Sequence, residues 1–299
     1  MIRAYEPLHI SAPLARVLAG EHCHTSGADA AGCDWYHGSW QFFRLLGLIN
    51  TIGTDDDFFY RVLPRYCRHA ECRVLISGAA DYALLARIVA LTADARAAFP
   101  RVTVMDRCLS PLLLNRWYAS ETGVDITVRH EDILHAVPGP KYDLICTHSF
   151  LGFFDAADRE RLVANWYDML KPGGVIVTAQ RVRPGENRYR VGYPPDQIAQ
   201  FTVRARELAV RHYDTLGLDP DLAEHVALSY VTRYKTHAIR SVDELQCLFL
   251  NAGFGMEEFA PPRSADIPDL PGAPRDVISC RWRIVVWKPV DSAVCGGGI

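Results

Sequence analysis

The stretch RVLISGAADYALL, Arg73 to Leu85, decides the fold. Val74 to Ser77 is a short apolar run, Ser77-Gly78-Ala79-Ala80 is a turn of small residues, and Ala83 onward opens a helix. A buried parallel strand that feeds a helix through a tight turn is where open α/β sheets bind nucleotide-like ligands. One such crossover is common, and the regular spacing of the apolar runs downstream gives it weight.

From Cys72 onward apolar runs of four to six residues alternate with helical stretches, which predicts βαβ units and a mostly parallel sheet. VLIS (74–77) is the first strand, VTVM (102–105) the second, ITVRH (126–130) the third, DLICT (143–147) the fourth and VIVTA (175–179) the fifth. The intervening helices are ALLARIVALTADA, LSPLLLNRWYAS and RERLVANWYDML, and Lys171-Pro172-Gly173-Gly174 reads as a helix stop and turn. MEEF (256–259) and CRWRIVVWK (280–288) are later strands, with the helix ELQCLFLNAGF before them and a Pro-rich connector between them.

Two regions break this rhythm. Residues 1 to about 34 read as loop-rich, punctuated by Pro7, Pro13, Gly20, Gly27 and Gly32, after which an aromatic helix starts at Asp34 and a second at Thr54-Asp55-Asp56-Asp57. Residues 1–70 are therefore expected to form an N-terminal helical cap, and 71–290 the α/β domain. Within that domain 186–240 reads as a helical lid insertion without strands, with amphipathic stretches near 196–215 and 220–234; the tail 291–299 reads as flexible.

Composition bounds the function classes. With 299 residues, 49% hydrophobic and 22% charged, and a formal net charge of -3, the chain offers no sequence-independent attraction to nucleic acid or to an anionic membrane. No apolar run reaches the roughly 20 residues needed to span a bilayer. The first residues lack the unbroken apolar block of a signal peptide, so a soluble cytoplasmic protein, with a homodimer as one option, is the expectation. Nine cysteines without a CxxC pair suit buried thiols better than a disulfide framework. His22, Cys23, His24, Cys33 and His37 are metal-ligand types close together, but they lack the tight pairs of zinc sites and read as an ordinary polar loop, with no metal expected.

The ordered set VLISGAADY, VTVMDRC, RHEDILH, YDLICTHSFLGFF, LKPGGVIVTAQR and LFLNAGFGMEEF resembles the class I S-adenosylmethionine-dependent methyltransferases across roughly residues 70–288. The resemblance implies a Rossmann-like, doubly wound sheet with helices on both faces and an antiparallel last strand. It implies S-adenosyl-L-methionine as cofactor and methyl transfer to a small-molecule acceptor, in specialised metabolism, as the reaction. The pattern departs from the family at one place: around the first turn Ile76 stands where an acidic residue is usual, Gly78 keeps the first glycine, and Ala80 and Tyr82 replace the second and third. Asp81, or the helical cap, is then left to hold the amino-acid end of the cofactor.

These motifs carry the expected site. Cofactor contacts fall on Tyr36, Ser77, Gly78, Ala79, Asp106, Arg107, Asp132, Ile133 and Thr147; Gly78 admits close backbone approach, and Asp106 at a strand end accepts from both ribose hydroxyls. Tyr36, Trp40, Tyr82 and Phe150 are candidates for an aromatic wall beside the sulfonium cation. His148 and Ser149 follow the fourth strand as the catalytic pair, the histidine a general base. His37, Phe150, Arg181 and Tyr193 are expected at the substrate, and the arginines 181, 183, 188 and 190 read either as an anion site or as a solvated loop. Two further readings stand beside methyl transfer. One is attack on the aminocarboxypropyl arm, with transfer or cyclisation to azetidine-2-carboxylate and release of methylthioadenosine; the other is a non-catalytic binding module.

Overall fold

The structure, a computed structural model, describes residues 4–23, 32–49, 51–67, 69–95, 98–261 and 279–290. The chain opens with α1 (Leu8–His22), α2 (Asp34–Leu45), a 3-10 turn (Ile52–Asp55), α3 (Asp56–Val62) and a second 3-10 turn (Leu63–Arg65). The sheet domain comes next as β1 (Arg73–Ser77), α4 (Ala83–Asp94), β2 (Arg101–Asp106), α5 (Leu109–Thr122), β3 (Ile126–His130), β4 (Tyr142–His148), α6 (Ala156–Met169) and β5 (Leu170–Val182). Then come β6 (Arg190–Gly192), α7 (Pro195–Arg211), α8 (Tyr213–Leu216), α9 (Pro220–Arg233), β7 (Lys235–His237), α10 (Val242–Asn251), β8 (Gly255–Ala260) and β9 (Cys280–Trp287).

Seven strands pair in the order β3-β2-β1-β4-β5-β9-β8. β1 to β5 are parallel, and β9 runs antiparallel between β5 and β8. The order reverses between β1 and β4, which opens a crevice at the carboxyl ends of those strands. Because side chains alternate along a strand, β1 feeds two cores: Val74 and Ile76 pack with α3, α4 and α5, while Leu75 packs with α6 and α10. Burial on both faces is why these strands read as continuous apolar runs.

A third core lies outside the sheet. Phe42 and Phe43 of α2, with Leu46 just after it, pack with Phe201 and Leu208 of α7 and Tyr230 of α9. Cap and insertion thus share one apolar interior.

Several expectations are corrected. The segment read as loop-rich contains α1, whose buried face is Ser11, Ala12, Ala15 and Ala19. Small residues at helical spacing admit close approach, such that a Cβ on Gly38 of α2 would lie 3.2 Å from the Ala19 Cβ. Pro13 sits within the helix and removes one N–H donor without ending it. The KPGG motif is not a separate turn but an irregularity inside β5: Tyr142 pairs with Leu170 and Leu144 with Val175, with Gly173 at φ +77°. The insertion contains strands after all, since β6 and β7 form an antiparallel ribbon. The Pro-rich connector (262–278) and the tail 291–299 lie outside the described residues.

Candidate active site

The crevice is the mouth of a cavity of about 530 Å³ lined by the β1, β2 and β4 ends, by α2 and by the lid. That volume is in the range of small-ligand sites.

The glycine turn is held from behind. The Gly78 N–H donates to the Met105 carbonyl at 2.9 Å, and Gly78 sits at φ +73°, a conformation that favours glycine. A Cβ on Gly78 would lie 2.3 Å from the Phe150 ring, so the bare backbone admits Phe150 directly. Ser77 is fully buried and its Oγ accepts from the Trp166 indole at 2.9 Å. It faces α6 and not the cavity. Ala79 and Ala80 carry the cavity side of the turn.

Asp106 ends β2 and closes the same turn: Oδ2 accepts from the Ala79 N–H at 2.9 Å and Oδ1 from the Cys108 N–H at 2.7 Å. Burial raises its carboxyl above the usual range, against the lowering influence of His37 and these two amides. Each oxygen keeps further acceptor capacity, which suits a pair of vicinal hydroxyls. Arg107 lines the cavity edge beside it. Asp132 forms a short turn through Leu134 N–H to Oδ1 at 2.9 Å, and it lines the cavity together with buried Ile133. Thr147 lies fully buried in β4, away from the cavity wall.

His148, at the end of β4, meets a residue from the cap. Its Nε2 lies 3.0 Å from Asp55 Oδ2. Arg281 on β9 places Nη1 at 2.6 Å from the same carboxylate oxygen and 2.7 Å from Thr54 Oγ1. The same Nη1 lies 3.2 Å from the Thr51 carbonyl oxygen and 2.9 Å from His148 Nε2, so the guanidinium stands against both members of the pair. Nδ1 bonds to no described residue and is not sealed from the cavity that His148 lines. Burial lowers the His148 pKa below its ordinary value; Arg281 adds to this and Asp55 opposes it. Burial alone would raise Asp55, but the His148 hydrogen bond and Arg281 together hold it well below the carboxylate range. Ser149 comes next at φ +53°, the one non-glycine residue with positive φ among the described residues. Such a conformation costs about 1–2 kcal/mol and turns the chain sharply into the cavity wall.

Arg181 of β5 stands directly opposite Arg281 of β9. Its Nη1 donates to Ser279 Oγ at 2.8 Å, and no carboxylate pairs with it among the described residues. Burial, with repulsion from Arg281 and Arg183, lowers it to about 10. The solvated-loop reading therefore holds for only part of the arginine cluster. Arg181 and Arg183 line the cavity with Arg183 buried, whereas Arg188 is exposed and pairs with Glu186 at 2.7 Å. Tyr193 packs into the lid core against Phe201, Tyr230 and Tyr234, off the cavity wall.

Known proteins bear on this geometry in three ways. Residues 87–178 match the family model described as a methyltransferase domain. That stretch carries a methyltransferase domain. Its cofactor is S-adenosylmethionine and its class is a transferase. A solved structure titled a "possible exported protein" from Bordetella parapertussis superposes with TM-score 0.50 at 17% identity, covering 93% of this chain and 79% of that one. The S-adenosylmethionine-dependent methyltransferase SibL in its apo form gives TM-score 0.49 at 15% identity, over 95% of this chain and 70% of that one. No curated protein matches the sequence.

The methyltransferase domain has residues that fit its cofactor. Asp106 offers acceptor capacity for ribose hydroxyls, and Asp132 with Ile133 lines the next stretch of wall. At the other end of the turn, Asp81 is already engaged: Oδ1 accepts from the Ala83 N–H at 2.8 Å and Oδ2 pairs with Arg44 of α2 at 2.5 Å. Arg44 also pairs with Glu6, and its Nε is buried without a hydrogen-bond partner while the residue lines the cavity. An unsatisfied buried donor of that kind suits a carboxylate. Tyr36 stacks within 5.3 Å of Trp40 and 6.1 Å of Tyr230, with Phe153 edge-on at 5.7 Å, and Tyr36 and Trp40 both line the cavity. Such a wall suits a cationic ligand. Tyr82 is excluded from it: fully buried, it stacks on Tyr118 at 4.3 Å and hydrogen-bonds Ser11 at 2.8 Å.

Asp55, Arg281 and Arg44 escape a reading of the sequence alone. Asp55 passes there for part of a helix start, and Arg44 for part of an aromatic helix. Arg281 and Arg283 leave one signal, two cations spaced by two in an otherwise apolar strand, which places both on one face of β9.

Proposed function

We propose that this protein transfers the methyl group of S-adenosylmethionine to a nucleophilic oxygen or nitrogen of a small acceptor bearing an anionic group. The observation that carries this reading is the Asp55–His148 pair, which opens onto the same cavity as the Asp106 turn. The cofactor supplies an electrophilic methyl on a sulfonium. Asp55 accepts from His148 Nε2–H and so fixes the tautomer that leaves Nδ1 as a lone pair, the same orientation logic as in Asp–His dyads elsewhere. Nδ1 receives the proton from the acceptor's O–H or N–H as that atom becomes nucleophilic. A lowered pKa keeps the imidazole neutral, and so competent as a base, at pH 7.

Arg181, half-buried and without a carboxylate partner among the described residues, binds the acceptor's anionic group and sets its distance from His148. Arg44 takes the carboxylate of the cofactor's amino-acid end, which replaces the acidic anchor absent at Ile76. The cap and lid aromatics exclude water from the site.

The test is nucleoside analysis of reactions between purified protein, S-adenosylmethionine and a panel of hydroxy- and amino-carboxylic acids. S-Adenosylhomocysteine that requires His148 is the expected product. Methylthioadenosine instead would move the reaction to the aminocarboxypropyl arm and overturn methyl transfer. Calorimetry without cofactor binding would overturn both.

A further inference from the structure

Beside the cofactor turn, but outside the proposed chemistry, four metal-ligand side chains converge from three segments. Cys23 follows α1, Cys33 precedes α2, His37 lies on the first turn of α2, and Cys108 precedes α5, two residues beyond Asp106. The Cys23 and Cys33 sulfurs lie 3.4 Å and 3.6 Å from the Cys108 sulfur. One ligand atom from each of the four residues falls within 4.8 Å of the other three. Gly32 passes so close to Cys23 that a Cβ there would lie 2.4 Å from the Cys23 carbonyl oxygen, so the chain is drawn tightly back to bring Cys33 beside Cys23. His37 Nδ1 is buried and has no hydrogen-bond partner.

We propose that Cys23, Cys33, His37 and Cys108 bind one zinc ion as a closed Cys3His site that ties the helical cap to the cofactor edge of the sheet. In a tetrahedral zinc site with Zn–S near 2.3 Å, sulfurs stand about 3.8 Å apart, close to the spacings here. A disulfide needs about 2.05 Å, and two of the three thiols could at most satisfy one. Three sulfurs and one imidazole nitrogen are soft donors that select zinc over magnesium or calcium. Four protein ligands leave no open position, so the ion is structural and takes no part in the reaction. Binding converts the three thiols to thiolates and releases their protons to solvent.

The position gives the site its consequence. The Cys108 N–H donates to Asp106 Oδ1, so an ion held by Cys108 fixes the turn that presents the Asp106 carboxylate. His37, expected at the substrate, is then a metal ligand. Where the sequence spacing argues for an ordinary polar loop and no metal, the ligand it lacks is Cys108, 85 residues from Cys23. His24 lies outside the described residues. The inference rests on the side-chain cluster and is independent of which bond of the cofactor is broken.

The test uses the full chain, purified with a tag free of histidine, under reductant and without chelators, and analysed by mass spectrometry for metals. About one zinc per chain is expected, retained through dialysis and released as an organomercurial titrates the thiols. Cobalt substitution should give the thiolate-to-metal charge transfer and strong ligand-field bands of a tetrahedral sulfur site. Cys33→Ser and Cys108→Ser should each lower zinc at least about tenfold, whereas Cys247→Ser, at an exposed position on α10, should not. If the serine variants fail to fold, the cobalt spectrum of the unmodified chain decides. Less than about a tenth of an equivalent of any transition metal, with no cobalt spectrum from the reduced protein, overturns the proposal. So does a Cys23–Cys108 disulfide in protein kept from oxidants.

Discussion

The Asp55 carboxylate reaches His148 Nε2 at 3.0 Å across 93 residues of sequence, joining the cap to the end of β4. Asp55 is buried and His148 half-buried, and Arg281 stands against both members. A histidine so placed works as a base only while neutral. Its pKa lies below 6.5 because burial and Arg281 outweigh Asp55. The rate should therefore hold through neutral pH and fall as pH drops through a value below 6.5, measured as an acid limb in kcat. His148→Ala should lower kcat by about 10²–10⁴-fold and leave the cofactor Kd within a few-fold.

Asp55→Asn tests the orientation separately. It removes the group that raises the His148 pKa, so the acid limb should move to still lower pH while kcat falls. It also leaves Arg281 without its carboxylate, at a cost of about 3–5 kcal/mol as for a broken buried pair, read by denaturant unfolding. Since Asp55 is depressed in the folded state, its contribution to stability is present above the ordinary carboxylate range and is lost as pH falls through and below it.

Asp106→Ala should weaken S-adenosylmethionine binding by about 10–100-fold in calorimetry, the worth of hydrogen bonds to a charged acceptor. Because burial raises the Asp106 carboxyl, affinity should begin to fall at a higher pH than an ordinary aspartate would dictate. Ser77→Ala is the contrast. It leaves the buried Trp166 indole unpaired and should cost about 1–3 kcal/mol of stability with little change in cofactor Kd.

Arg181→Met should raise KM for an anionic acceptor by at least about tenfold with a smaller change in kcat, since the lost contact is binding that ground state and transition state share. Acceptors lacking the anionic group should be indifferent to the substitution.

How much the sequence reveals depends on how far apart the cooperating residues lie. β1, β2, β4 and β9 fall within one or two residues of the apolar runs that announce them, because burial on both faces demands near-continuous hydrophobicity. α1 is hidden because its buried face is made of Ser11, Ala12, Ala15 and Ala19, residues too small to draw an apolar stripe. Gly78, Asp106 and His148 sit at strand ends, where position in the alternation marks them. Asp55, Arg281 and Cys108 gain their roles from partners 85 to 226 residues away, and no local spacing carries that information.

Gly78 and Phe150 offer the sharpest test of the turn itself, since two separable strains act at one position. Gly78→Ala places a side chain at φ +73°, costing about 1–2 kcal/mol, and drives its Cβ to 2.3 Å from the Phe150 ring. Phe150→Ala alone removes packing against Gly78 and Trp166 and should destabilise by about 3–5 kcal/mol, less in proportion to its remaining exposure. In the double variant the collision disappears while the backbone strain stays. The Gly78→Ala penalty should therefore shrink to about 1–2 kcal/mol when Phe150 is already alanine, a coupling read from urea midpoints across the four proteins. Additive penalties would mean that the ring does not rest on the glycine, and that the turn is bare to the cofactor instead.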